Sequence, residues 1–327
     1  MPSPSLSSCV LVLNYNGREH LEDCLGSAVA AAAAVAGGRV VLVDNRSTDD
    51  SVAFTREQFP MVEVVIAPVN DFLFSLNEVV RARTEEIVVI VNNDMRFDRQ
   101  FVAALLPHFK DPAVFGVGAA IRTWDGSANT VGPRCARLTF CWFYKWWELD
   151  RQEPAETLEA SAGAAAYRRE MFLQLGGFDP LYRPGYFEDM DLSYRAWMHD
   201  WTVRYEPDSK SFHKISVSMV RRLGEDGKLR LLYRNHILFT IKNVGGLAFL
   251  LGFLVLLPMR ALRPLLRGDA VPLAGALRAL PLMPRALRAR FKGPRRVLDI
   301  ERFSQVRPIA SATDATTSRL SAGGRTR

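Results

Sequence analysis

Over the first hundred positions the apolar residues fall into four short runs, three of them continuous and closed by Asn or Asp. Cys9 to Leu13 stops at Asn14-Tyr15-Asn16-Gly17, and Val40 to Val43 stops at Asp44-Asn45-Arg46-Ser47-Thr48-Asp49-Asp50. Val62 to Ile66 is the third run, and Ile87 to Val91 ends at Asn92-Asn93-Asp94. Runs of this length without alternation predict strands buried on both faces. His20 to Val35, Ser51 to Gln58 and Asn77 to Arg83 read as the intervening helices, the second with Ser, Thr and Asp on hand as caps. Strand alternating with helix predicts an α/β domain with a mainly parallel sheet covered on both faces.

In open sheets of that kind ligands bind beyond the carboxyl ends of the strands. Asn14 and Asn16, Asp44 and Asn45, and Asn93 and Asp94 are therefore expected to meet in one crevice. The turn-forming preference of Asn and Asp accounts for the same residues without a ligand, and both readings stand at this point. Further on, Gly132 to Glu159 carries Phe140, Trp142, Phe143, Tyr144, Trp146 and Trp147. Their ring faces suit a sugar platform and equally suit packing against a neighbouring element.

Composition narrows the class. With 327 residues, 48% of them hydrophobic, the chain can bury a large core, which excludes a disordered or disulfide-stapled scaffold. Cys9, Cys24, Cys135 and Cys141 lack zinc-type spacing and are too few for a secreted framework, so a reducing cytoplasm is expected. The start, Met1-Pro2-Ser3-Pro4, has no basic region of a signal peptide. Charge is divided: Pro258 to Arg327 holds 15 Arg and Lys against 4 Asp and Glu, a balance of +11, while the remainder, 27 against 31, is −4. Leu, Ala, Pro and Phe interleave these cations, a pattern that fits an anionic lipid surface and not nucleic acid.

Val244 to Leu257 is the most apolar stretch and, at 14 residues, is shorter than the ~20 a spanning helix needs. Pro264, Pro272, Pro281 and Pro284 break the Arg-rich segment after it into short helices. Either these helices lie on the cytoplasmic face of the membrane or they dock on the main domain. The expected organisation is a catalytic domain over 1–220, a helical region over 221–303 and a disordered tail over 304–327.

The densest chemistry lies at Glu188-Asp189-Met190-Asp191, preceded by the small-residue run Ala160-Ser161-Ala162-Gly163-Ala164-Ala165-Ala166 and by Gly176-Gly177-Phe178-Asp179. Three carboxylates within four positions repel one another unless a cation or solvent offsets them. An acidic helix N-terminus gives the same composition.

Together with Val12-Leu13-Asn14-Tyr15-Asn16-Gly17, Val43-Asp44-Asn45-Arg46-Ser47-Thr48-Asp49, Asn92-Asn93-Asp94, His213 and Tyr233-Arg234-Asn235, this series resembles the inverting family-2 glycosyltransferases, in particular their bacterial rhamnosyltransferase-like branch. The resemblance covers Val10 to about Lys242 and implies a GT-A fold and sugar transfer from a nucleoside diphosphate, dTDP- or UDP-linked, in cell-envelope polysaccharide synthesis. It implies donor contacts at Asn14, Asn16, Asp44, Asn45, Asn77 and Asn93, and Mg2+ or Mn2+ at Asp94 with His213. It also implies a general base at Asp189, flanked by Glu188 and Asp191, and a hydroxyl acceptor on a glycan or lipid-linked carrier at the inner-membrane surface. Two departures stand out: bulky Phe72, Leu73, Phe74 and Leu76 occupy a loop that is glycine-rich in relatives, and the metal motif has a single carboxylate. They leave open a catalytically silent module that binds glycan or membrane for another transferase. A nucleotidyltransferase on a similar sheet would need a basic glycine-rich loop after the first strand, which Asn14-Tyr15-Asn16-Gly17 is not.

Overall fold

The computed structural model describes residues 6–214, 217–293 and 297–309. Its first half is strand and helix in turn: β1 (Ser8–Asn14), α1 (Arg18–Ala32), β2 (Arg39–Asp44), α2 (Ser51–Gln58), β3 (Glu63–Ile66), α3 (Leu76–Ala82) and β4 (Ile87–Asn92). These strands pair in parallel in the order β3-β2-β1-β4, with Asn14 level with Asp44 and Leu13 level with Asn92. That register brings all the polar strand ends to one edge.

Side chains alternate between two apolar layers. Val10, Val12, Leu42, Ile87 and Val89 join α1 on one face, while Cys9, Leu11, Val41, Val88 and Ile90 join α3 on the other. Burial on both faces is why these strands read as unbroken apolar runs.

Beyond β4 the sheet becomes mixed, which corrects the mainly parallel expectation for its second half. The chain continues through β5 (Met95–Phe97), α4 (Phe101–Leu105), β6 (Val114–Thr123), β7 (Asn129–Val131), β8 (Arg134–Thr139), β9 (Trp142–Trp147), β10 (Ala155–Glu156), β11 (Ala164–Arg168), α5 (Arg169–Gln174), α6 (Glu188–Met198) and β12 (Thr202–His213). β11 lies antiparallel between β4 and β6, β12 runs parallel to β6, and β5 pairs antiparallel with the end of β12. Ala164, Ala165 and Ala166 are fully buried in β11, where Gly118 of β6 opposes Ala165 and Gly116 opposes Tyr167. The β8–β9 hairpin forms a separate two-stranded sheet.

Among the described residues the helices after β12 are α7 (Val217–Asn243), broken at Gly224, then α8 (Leu247–Leu262), α9 (Val271–Ala279) and α10 (Met283–Lys292). Ile237, Phe239, Phe253, Ala279 and Ala286 belong to the same core as α3 and α6, so these helices dock on the α/β domain. The described part of the expected tail, 304–309, includes an ordered contact: Pro308 bridges Ala155, and the Arg307 carbonyl accepts from Glu156 N at 3.0 Å. The remainder of that tail, 310–327, lies outside the described residues. Helix α8 runs past Leu257 and through Pro258, and a further 3-10 turn extends it to Arg267. Leu247–Arg267, at 21 residues, is by length and composition long enough to cross a bilayer, although the apolar run alone is not. One face of it is packed: Leu250, Phe253, Leu257 and Ala261 are buried against the domain.

Candidate active site

At the ends of β1, β2 and β4, three predicted polar side chains, Asn14, Asp44 and Asn93, form one hydrogen-bonded set with Ser47. Asn14 Nδ2 donates to Asp44 Oδ2 at 2.8 Å and to Ser47 Oγ at 3.2 Å, while Asn93 Nδ2 donates to Asn14 Oδ1 at 2.6 Å. Asp44 also accepts from Ser47 N at 2.8 Å and from Ser47 Oγ at 2.6 Å. Asn16 Oδ1 accepts from Thr48 N at 2.7 Å, which ties the loop after β1 to the loop after β2. A Cβ on Gly17 would sit 1.9 Å from Asn93 Nδ2, so the glycine is what lets these side chains meet. Asn45 is buried, donates to the Phe72 carbonyl at 2.6 Å and keeps its own Oδ1 without a partner.

The bulky loop meets the crevice through the Phe72 carbonyl and sends Phe74 and Leu76 inward. Phe74 and Leu76 are in the core, and Phe72 and Leu73 pack against it across a 3-10 turn. Phe72 reaches that turn with a φ of 54°. Asn77 is placed differently from the donor contact implied for it. Its Nδ2 donates to the Phe178 carbonyl at 2.9 Å and its Oδ1 accepts from Phe178 N at 2.8 Å. Both ends of the amide hold the Gly176-Gly177-Phe178 turn.

Asp94 and His213 come together because β5 pairs with the last residues of β12, setting His213 opposite Met95. His213 Nε2 lies 3.2 Å from Asp94 Oδ2, and Asp94 Oδ1 is buried with no hydrogen-bond partner. A divalent cation fits this pair. An orphaned carboxylate oxygen beside an imidazole is a suitable partial ligand set for Mg2+ or Mn2+, which keep other positions for water and phosphate oxygens. Among the described residues no group of three or more His, Cys, Asp and Glu side chains forms a fuller cage.

The small-residue run joins this corner to the carboxylate cluster. Asn92 N donates to the Gly163 carbonyl at 3.1 Å, and one residue earlier Ala162 N donates to Asp189 Oδ2 at 3.3 Å. Asp189 Oδ1 accepts from Met190 N at 2.8 Å in the first turn of α6. Burial, and then the charge of Glu159, raise the Asp189 carboxyl from 3.8 to about 7. Glu188 is pushed well above its ordinary range by burial and by Asp189, and its Oε2 has no partner. Asp191 faces elsewhere and is fully enclosed. It pairs with Lys242 Nζ at 2.7 Å and Arg195 Nε at 2.8 Å, and accepts from the Tyr182 hydroxyl at 3.0 Å and Asn243 Nδ2 at 2.8 Å. Burial alone would raise its carboxyl, but Lys242 and Arg195 outweigh it and hold it well below the carboxylate range. It orients the helix, with no free oxygen for a substrate.

Known proteins now place the fold. The sequence profile described as glycosyltransferase like family 2 matches residues 4–235. The chain belongs to glycosyltransferase-like family 2. A mannosyltransferase from Pyrobaculum calidifontis, in complex with GDP-Man and Mn2+, is 20% identical at a TM-score of 0.55, over 98% of this chain and 82% of its own. TarS 1-349 from S. aureus is 15% identical at a TM-score of 0.53, over 86% and 81%. GalNAc-T7 with UDP, GalNAc and Mn2+ is 17% identical at a TM-score of 0.54 over 71% of this chain, which spans only 48% of that protein. No curated protein matches the chain. At these identities the likeness establishes the GT-A fold: a parallel half continued by a mixed half.

Within this family-2 domain, sequence reasoning missed two cations near the carboxylate cluster. Lys145 on β9 lies 4.1 Å over the Phe187 ring, and burial and Arg134 lower its ammonium to about 8 against the pull of Glu159, Asp189 and Glu188. Arg134 Nε pairs with Glu159 at 3.0 Å and stacks 3.1 Å over Trp147. The available signal was a single cation inside Trp142-Phe143-Tyr144-Lys145-Trp146-Trp147. Strand alternation puts Lys145 on the side of buried Phe143, opposite exposed Tyr144 and Trp146.

Proposed function

We propose that this chain is an inverting, metal-assisted hexosyltransferase of the rhamnosyltransferase-like branch, moving a sugar from a nucleoside diphosphate to a hydroxyl of a glycan or lipid-linked acceptor in bacterial cell-envelope synthesis. The observation that carries it is the Ala162-Gly163 backbone, which holds Asp189 on one side and the strand end bearing Asp94 on the other. Asp94 and His213 would hold the cation, which supplies charge stabilisation for the departing diphosphate. Asp189, poised near neutrality, accepts the acceptor hydroxyl proton as the oxygen attacks. Lys145 keeps part of the Asp189 population ionised. The crevice set around Asn14 and Asp44 orients the nucleoside, with dTDP- and UDP-sugars as the expected donors.

The apolar exposed side of α8 and the arginines after it support peripheral attachment to the cytoplasmic face of the inner membrane. Packing of Phe74 and Leu76 into the core takes two of the four bulky side chains away from the donor crevice, which supports an active transferase over a silent module. The test is nucleoside diphosphate release from a panel of nucleotide sugars with Mn2+ and a membrane extract, run beside Asp189→Ala. No turnover of any donor, or equal turnover by the variant, defeats the assignment.

A further inference from the structure

The C-terminal helices leave a cavity of about 700 Å³ against the β8–β9 hairpin that sugar transfer, as described, does not use. Phe140, Trp142, Tyr144 and Leu256 give it an apolar wall. Arg260, Arg263 and Arg267 line the same space, at a spacing that sets them on one side of the helix. The one acid there, Asp269, already caps Val271 N at 3.0 Å. The Arg260 guanidinium lies 4.8 Å over Trp142 and donates to the Phe140 carbonyl, yet its Nε is buried with no partner. Hydrocarbon walls beside three cations, one with an unmet donor, suit an anionic head on an apolar chain.

Two further observations place that ligand. Leu247, Leu251, Val255, Met259, Leu262 and Leu266, each more than half exposed, form one stripe along α8 and its extension. Met259 belongs to both the stripe and the cavity lining, so the cavity opens beside the apolar stripe. On the inner side, Trp142 stacks on His236 at 4.5 Å, His236 meets Phe187 at 5.8 Å, and Phe187 immediately precedes Glu188 and Asp189. Along β9, Trp142 and Lys145 are about 10 Å apart at strand rise. Trp142 and Lys145 project from opposite faces of β9, so the Trp142, His236 and Phe187 rings form the partition between the cavity and the carboxylate cluster.

We propose that this cavity seats the phosphate head and first carbons of the acceptor's lipid carrier, an isoprenyl phosphate or diphosphate, and presents the sugar it bears to Asp189. This rests on the sugar-transfer reading. Bulk phospholipid would use the stripe but has no need of a cavity lined by three arginines against the β8–β9 hairpin.

The test is a tryptophan-fluorescence titration of the full chain with farnesyl diphosphate, farnesol, inorganic diphosphate and dihexanoyl phosphatidate. Farnesyl diphosphate is expected to bind at least ~10-fold more tightly than each of the other three, because only it supplies both an isoprenyl chain and a diphosphate. R263E/R267E, both on the exposed turn, is expected to weaken it by roughly 10- to 100-fold. R288E, a charge control outside the cavity, is expected to change it less than about 3-fold. Should the double variant unfold, Y144A gives the same reading through the apolar wall, with an expected loss of about 10-fold. Equal binding of dihexanoyl phosphatidate, or undiminished affinity in the variants, overturns the proposal. Nucleotide-sugar turnover is read separately. Turnover on a soluble acceptor without farnesyl diphosphate binding defeats the cavity, whereas selective binding without any turnover supports its ligand class and defeats the transfer reading.

Discussion

Asp189→Asn separates the two consequences of burying a carboxylate at the start of α6. Burial first and Glu159 second raise the acid from 3.8 to about 7, while the backbone N–H groups of Met190 and Ala162 and the Lys145 ammonium oppose them. A carboxyl whose folded value exceeds its unfolded one favours folding only while protonated. Its contribution is complete below pH ~4 and is lost as pH rises through about 7. At about 1.36 kcal/mol for each pH unit between those limits, ionisation costs the folded state at most about 4 kcal/mol above pH 8. The side chain is partly exposed, and solvent screening reduces this to about 2 kcal/mol. Asn keeps the shape and carries no charge. The variant is therefore expected to be about 2 kcal/mol more stable than wild type in urea at pH 8.5 and equal to it at pH 4.5, while turnover falls by on the order of 10² to 10⁴. A variant that is less stable at pH 8.5, or that retains turnover, refutes the reasoning.

In wild type, kcat/KM is expected to rise with pH through about 7, and in Lys145→Met that limb should move up by roughly one pH unit as a favourable charge is lost; pH–rate profiles read both. Asp94→Ala and His213→Ala are each expected to lower Mn2+-stimulated turnover by about 10² without unfolding the chain, measured by metal titration and circular dichroism. Asp191→Ala leaves Lys242 buried without that partner and should cost about 3 to 5 kcal/mol in urea unfolding. Gly17→Ala should raise the KM for the nucleotide sugar, because its methyl displaces Asn93 from Asn14.

The first half of the molecule was legible because each signal was local. Unbroken apolar runs gave β1, β2 and β4, and their polar ends gave the crevice set, since parallel pairing carries those strand ends to one edge. Asp94 and His213 are 119 positions apart in sequence, and only the resemblance placed them together; the pairing of β5 with β12 that joins them leaves no periodic trace. Nor does composition show that Asn77 holds the Phe178 turn, or that Lys145 lies near the carboxylate cluster, since both depend on contacts between distant segments. The 14-residue apolar run understated α8 because arginines following Pro258 continue the helix, and hydropathy registers them as an end.

Asp189 and Asp191 show why an acidic cluster cannot be divided by counting. At about 100° per residue, two positions separated by one residue point to nearly opposite sides of a helix. One carboxylate then meets the Ala162-Gly163 backbone, where burial raises it toward neutrality, and the other meets Lys242, Arg195, Tyr182 and Asn243, where it stays ionised. The second arrangement fixes the first. Asp191 ties the opening turn of α6 to the last turn of α7, while Asn235 Nδ2 donates to the Gly185 and Tyr186 carbonyls, both at 2.8 Å, and holds the segment leading into that turn. Tyr186 and Phe187 enter the helix at φ values of 68° and 75°, a conformation that needs such support. The C-terminal helices thus set where Asp189 points. Disturbing Asp191 or Asn235 should therefore slow turnover without altering any group that touches the substrate.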